Sequence, residues 1–253
     1  MTEGLSLCGV REGLAIANCL PKVEFFCEHD AYQDYDRTGY QYACDPDHLS
    51  AELLKATNRA MKARARCEPW AQFFRGGLPE LAEVSVHADL VDSDDAGYAT
   101  ARAGLGKCYR KLTAAKWITD MAATKMLHLK RPRLVAISDS YVREILAIRE
   151  PEARVYPWRV DYCTERALRV SDAARAVGRR NAELLDGMQM AMAPTVERIS
   201  AKCQTPMSLS RARIIDILLW VDAAIGSGHK TWSPVAAAAG WYSVLDGIRA
   251  STG

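Results

Sequence analysis

The chain has 253 residues, 49% of them hydrophobic and 25% charged, with a formal net charge of +2. Those values fit a soluble protein of one large or two small domains, long enough to bury a sizeable core. A charge so near zero excludes attraction of the whole surface to nucleic acid, so any such surface has to be a local patch. No apolar run reaches the ~18 residues that a membrane span needs. Met1-Thr2-Glu3-Gly4 places an acid before any base, and the apolar run from Gly13 to Leu20 is short for a secretory signal. A cytoplasmic protein is the expectation.

Cysteines stand at Cys8, Cys19, Cys27, Cys44, Cys67, Cys108, Cys163 and Cys203, with no CxxC pair. The histidines, His29, His48, His87, His128 and His229, fall at no ligand spacing from them. All eight thiols are expected reduced and metal-free. No phosphate-binding or dinucleotide loop is present, so no cofactor is expected.

Helix signals dominate. Asp45-Pro46 reads as an N-cap with proline at the first helical position, opening a helix to about Arg66. Leu49, Leu53, Leu54, Thr57 and Met61 share its apolar face, and Arg59, Lys62 and Arg66 share a basic one. Trp70, Phe73 and Phe74 lie in a short helix that Gly76-Gly77 ends, and Pro79 starts another turn. Asp89, Asp92, Asp94 and Asp95 lack the glycine and closing glutamate of a calcium loop, so they read as a loop and a helix start. A helix follows over 96–113 with Leu105, Tyr109 and Leu112 inward, then another over 121–129. The apolar link 131–138 leads to a helix from about Ser138 to Leu146, with only a token of strand near 134–137. Pro151 to Trp158 breaks the pattern. One long helix is expected from about Asp161 to Met190. Ser208 opens the next, whose stripe is Ile214, Ile217, Leu218, Val221 and Ile225, and a last helix falls near 235–249.

The segment Ala122 to Leu146 is the one that looks built for chemistry. Lys125, Lys130, Arg131 and Arg133 form a basic cluster around an apolar link, and Asp139 sits where the next helix begins. Aspartate is also a common N-cap, which is the plainer reading of Asp139. The plainer reading of the basic residues is the polar faces of two elements. Arg213 and Asp216, three apart on one helix, read as a buried bridge.

KRPRLVAISDSYV at 130–142 and Arg213-Ile-Ile-Asp216-Ile-Leu-Leu-Trp220 resemble a family of uncharacterised bacterial helical proteins over about 40–226. That resemblance implies a fold and no reaction. More distantly, Ala122–Leu129, Pro132–Ser138 and Asp139 resemble the core of helix-hairpin-helix base-excision DNA glycosylases. There a fixed aspartate stabilises the positive charge that builds on the sugar as the N-glycosidic bond breaks. The resemblance implies Asp139 as the catalytic carboxylate and Lys125, Lys130, Arg131 and Arg133 as phosphate contacts. Trp70, Tyr109, Trp117 or Tyr141 would wall a base pocket. The chain departs from that family at Ile118-Thr119-Asp120-Met121-Ala122, which lacks the hairpin's glycines and carries an acid.

The expected fold is therefore all-α, a multi-helix globular domain with a core in 1–150 and a C-terminal layer in 151–253. The leading functional expectation is a DNA-associated protein on a glycosylase-like scaffold. The alternative is a non-catalytic helical protein that binds a protein partner or a small anionic ligand.

Overall fold

In a computed structural model of the chain, the described residues are 15–28, 35–37, 45–50, 53, 77–115, 118–148 and 160–226. Among them the fold is all-helical, with no strand. The elements are α1 (Ala15–Glu28), a 3-10 helix (Pro79–Glu83), α2 (Asp95–Thr113), α3 (Asp120–Lys130), α4 (Ser140–Ile145), α5 (Val160–Arg180), α6 (Ala182–Cys203) and α7 (Arg211–Gly226). No helix among them is long and apolar enough to cross a membrane.

Local chemistry sets the helix starts. The Asp94 carboxylate accepts from Gly97 N at 2.7 Å and opens α2, satisfying one of the donors a helix start leaves bare. Thr119 caps α3 through Ala122 N at 3.4 Å. At 45–50 the expected N-cap moves. Asp47 N donates to Asp45 Oδ1 at 3.3 Å and His48 N to Asp45 O at 3.4 Å, which closes a turn instead of a helix. Ser50 takes the capping role, accepting from Leu53 N at 3.1 Å. The rest of the helix expected there, with its Arg59, Lys62 and Arg66 stripe, falls outside the described residues, as do 149–159 and the helix expected near 235–249.

Two helices form the interior. Every side chain from Ala212 to Leu219 on α7 is buried, and α7 packs on α1, α4, α5 and α6. Residues 122–130 of α3 are likewise all buried, and α3 packs on α2 and α5. Apolar residues on every side of a helix place it inside, and the charges that both helices also carry are buried with them. In α3 the charges Asp120, Lys125 and Lys130 recur every five residues, a spacing that gathers them on no single face. By contrast, α5 is amphipathic. Cys163, Ala167, Val170, Ala174 and Val177 turn inward, while Glu165, Arg169, Arg179 and Arg180 are exposed.

The single helix expected over 161–190 is two. Asn181 sits at φ −115°, ψ 25° between α5 and α6, and its Nδ2 donates to Val177 O at 2.7 Å. An asparagine side chain competes with the backbone for such carbonyls, which breaks the ladder there. α6 then runs past the methionines and Pro194 to Cys203 and lies against α1. α1 joins the distant end of the chain a second time through Lys22 and Asp222. Both are fully buried, with Nζ 2.5 Å from Oδ1.

The link at 134–137 is buried, and no strand forms there among the described residues. Its polar groups are met singly: Leu134 N and Val135 N both donate to Arg131 O at 3.0 Å, and Ser138 N to Thr124 Oγ1 at 3.0 Å. Backbone groups in the interior need such partners, and the Arg131 carbonyl and the Thr124 hydroxyl supply them here.

Cys19 is disulfide-bonded, with a partner outside the described residues. This corrects the all-reduced expectation, because spacing along a chain does not tell which sulfurs the fold brings together. Cys27, Cys108, Cys163 and Cys203 are thiols outside any disulfide. Burial pushes the Cys27 and Cys108 thiols up to about 12, which leaves them unreactive at neutral pH.

Gly178 permits the close approach of α5 to its neighbours. A Cβ there would stand 2.7 Å from Val91 Cγ2 and 2.8 Å from Ile215 Cδ1. Gly178→Ala should therefore lower stability by about 1–2 kcal/mol, because overpacking outweighs the ~1 kcal/mol gain in helix propensity. Urea unfolding checks this; a variant more stable than the parent would show that the interface yields freely.

Candidate functional site

The basic cluster does not form a surface. Arg131 is 1% exposed and uses all five of its N–H donors inside the protein. Nε donates to Val84 O at 2.6 Å, Nη1 to Pro46 O at 2.7 Å and Lys130 O at 3.0 Å, and Nη2 to Leu81 O at 2.8 Å and Asp47 Oδ1 at 2.5 Å. It fastens the 45–48 turn and the 3-10 helix to the end of α3. Lys130 is buried and donates to Asp45 O at 2.7 Å. Lys125 is buried with Nζ 3.7 Å from Asp139 Oδ2, and burial depresses its pKa against the pull of that carboxylate. Of the four, only Arg133 has an exposed side chain, and it pairs with Asp89 at 3.0 Å.

Asp139 caps α4. Its Oδ1 accepts from Tyr141 N at 3.1 Å while Oδ2 faces Lys125. Of the residues expected to wall a base pocket, Tyr109 is fully buried in the core and Tyr141 stands edge-on to Trp220 at 5.7 Å. Trp70 and Trp117 lie outside the described residues.

Asp139 and Lys125 do join a larger group that the sequence did not assemble. Arg213, 2% exposed on α7, donates Nη1 to Asp216 Oδ2 at 2.5 Å and Nη2 to Asp36 Oδ2 at 3.1 Å. Its guanidinium carbon lies 5.1 Å from the Phe26 ring centre and 5.2 Å from that of Tyr35. Tyr35 in turn donates to Lys125 O at 2.7 Å. Burial opposes the charge on Arg213, but Asp36 and Asp216 outweigh it and hold the guanidinium protonated. Burial pushes Asp216 up to about 6, against the pull of Arg213 and with the repulsion of Asp139. Asp36 is also raised by burial, and Arg213 works against the shift.

Beside this group lies a cavity of about 130 Å³. Asp36, His128, Lys130, Ser208, Ser210 and Arg213 supply its polar wall, and Pro46, Val86, Leu129 and Pro132 its apolar one. His128 is 2% exposed, with Nδ1 2.6 Å from Val135 O. A carbonyl only accepts, so Nδ1 carries the hydrogen and Nε2 keeps its lone pair. Burial, reinforced by Arg213, lowers His128 to about 3, so the ring is neutral. Ser210 caps α7, accepting from Arg213 N at 3.1 Å and donating to Pro132 O at 2.5 Å. That cap fixes where α7 begins and so where Arg213 meets the cavity.

The model of DUF6308, described as a family of unknown function, matches residues 26–223. The chain belongs to that family. No curated protein and no solved structure matches it. The span shared with DUF6308 encloses α3, Asp36 and α7 as far as residue 223, and with them the whole described lining of the cavity.

Sequence reasoning found Asp139, Lys125 and the Arg213–Asp216 bridge but missed Asp36, His128 and Ser210. His128 carried a usable signal, since it stands within the apolar run Met126-Leu127-His128-Leu129 and a buried imidazole needs partners. Asp36 carried none. It meets Arg213 across 177 residues of chain.

Proposed function

We propose that this member of DUF6308 is a binding protein for a small polar molecule held in the cavity beside Arg213. The supporting observation is a fragment-sized space that places Asp36 and His128 among apolar side chains. Its volume of about 130 Å³ is close to the ~150 Å³ that accommodates a benzene ring. Pockets with a few convergent polar groups in an apolar lining are the usual form of a small-molecule site. The structure favours this reading over nucleic-acid cleavage because Lys125, Lys130 and Arg131 point inward and Asp139 is occupied by its own helix and by Lys125.

The test is a fragment screen by ligand-observed NMR against the parent and a Val86→Trp variant. Val86 lines the cavity and is 41% exposed, so the larger ring blocks the space with little effect on stability. Fragments of roughly four to eight heavy atoms should bind the parent and raise its stability by about 2.7 kcal/mol at a hundredfold excess over Kd. The variant should bind none of them. Binding that Val86→Trp leaves unchanged would place the ligand elsewhere and sink the proposal.

A further inference from the structure

We infer that the molecule this cavity takes is an uncharged carbonyl compound, whose oxygen accepts the Nε–H of Arg213. The inference rests on the cavity being a ligand site and adds the chemical class of the ligand. Arg213 carries it. The side chain is 2% exposed and stands on the cavity wall. Of its five N–H donors, one on Nη1 goes to Asp216 and one on Nη2 to Asp36. Its Nε is buried and meets no acceptor among the described residues. The ring centres of Phe26 and Tyr35 lie 5.1 Å and 5.2 Å from the guanidinium carbon, but a ring face is a weak acceptor. A buried donor left without an acceptor is costly, and native interiors supply one from protein, water or ligand. The cavity is the space beside Arg213 from which such an acceptor can come.

The rest of the wall fits an oxygen that carries no charge. Ser210, which caps α7, is part of it, so the positive end of that helix adjoins the cavity and favours an acceptor. Asp36 is part of it too, and Asp216 shares the same guanidinium. Burial holds both carboxyls above their ordinary range even with Arg213 at hand. A third carboxylate beside them would meet repulsion on top of its own desolvation. An ammonium fails for two reasons. It has no lone pair to offer Nε–H, and it would join Lys130 and Arg213 on one wall. A carbonyl oxygen meets the donor and leaves the local charge as it is. The cavity volume of about 130 Å³ then limits the rest of the molecule to a short alkyl chain or a small ring, packed on Val86, Leu129 and Pro132.

The experiment compares butyramide, butyrate and n-butylamine, near-equal in size, by titration calorimetry at pH 7.5. Butyramide should bind about tenfold or more tighter than either charged probe. Arg213→Lys keeps the positive charge, removes Nε–H and should bring butyramide down to the affinity of the other two. Because that variant also disturbs the pairs with Asp36 and Asp216, the Nε–H proton resonance of Arg213 is followed in the unmodified protein. It should move downfield as butyramide is added, as expected for a donor that gains an oxygen acceptor. Equal or tighter binding of butyrate or butylamine, or an Nε–H resonance indifferent to bound butyramide, would overturn the carbonyl assignment. So would failure of butyramide to bind while other fragments bind the parent and not Val86→Trp, a result that leaves the cavity reading standing. If fragments ignore Val86→Trp, the cavity reading falls and the assignment falls with it.

Discussion

Asp120→Ala should cost about 3–5 kcal/mol, the range for removing one partner of a buried ionic network. Asp120 is fully buried at the start of α3. Arg166 of α5 grips both its oxygens, through Nε at 2.9 Å and through Nη2. The Ser138 hydroxyl donates to it at 2.5 Å, and Arg143 of α4 approaches at 3.3 Å while also donating to Ser138 O at 2.9 Å. One carboxylate thus joins three helices. Its removal takes this carboxylate from two guanidiniums at once, and losing one partner of a buried ionic network is among the costlier defects a core can hold. Urea midpoints measure the loss. The double variant Asp120→Ala with Arg166→Met should recover part of it, because the stranded charge leaves with its partner. A single variant within about 0.5 kcal/mol of the parent would show that water or rearrangement replaces the network at little cost.

Acid should weaken the fold through His128, with a sign that can be checked against Asp216. His128 is lowered from 6.5 to about 3 in the folded protein. A depressed folded pKa means stability that is present above pH 6.5 and lost as pH falls towards 3. The unfolded chain takes up a proton over that window and the folded one does not. The loss approaches 1.4 kcal/mol per pH unit and about 5 kcal/mol in total. Asp216 runs the other way. Its folded pKa is raised from 3.8 to about 6, so its contribution is present below pH 3.8 and is lost as pH rises to 6. Between pH 6 and 4 the two partly cancel in the parent. His128→Gln removes one of them. Urea unfolding at pH 4, 5, 6 and 7.5 should show the parent losing stability relative to this variant by about 1 kcal/mol per unit below pH 6.5. Parallel pH profiles would mean that His128 is protonated in the folded state.

The all-helical architecture was legible because its signals are local. The aspartates before the 96–113 helix and the apolar stripe of α7 each depend on a few adjacent residues. The α5–α6 break was not legible. Asn181 sits in a sequence that continues the helical period on both sides, and only a side chain turned onto Val177 O marks the fault. The basic cluster misled for a related reason. Four cations in nine residues suggest a surface when counted along the chain. In a helix buried on every side, their destinations are set by carbonyls from 45–46 and 81–84 and by carboxylates elsewhere. The cavity was the least legible feature of all. Asp36, His128 and Arg213 belong to three separate segments, and what each offers depends on which of its atoms the others have already used.

The buried Lys22–Asp222 pair also bears on how the protein is made. Its two residues are 200 positions apart, and α1 rests on α6 and α7, which are among the last described elements of the chain. A ribosome adding ~5–20 residues per second delivers Asp222 roughly 10–40 s after Lys22. Throughout that interval α1, with Val23 and Phe26 unburied and its lysine unpaired, is a hydrophobic segment on a nascent chain with no place to dock. Slow stretches of translation after α1 should therefore lengthen its dependence on chaperones, and a circular permutant that synthesises α1 immediately after α7 should shorten it.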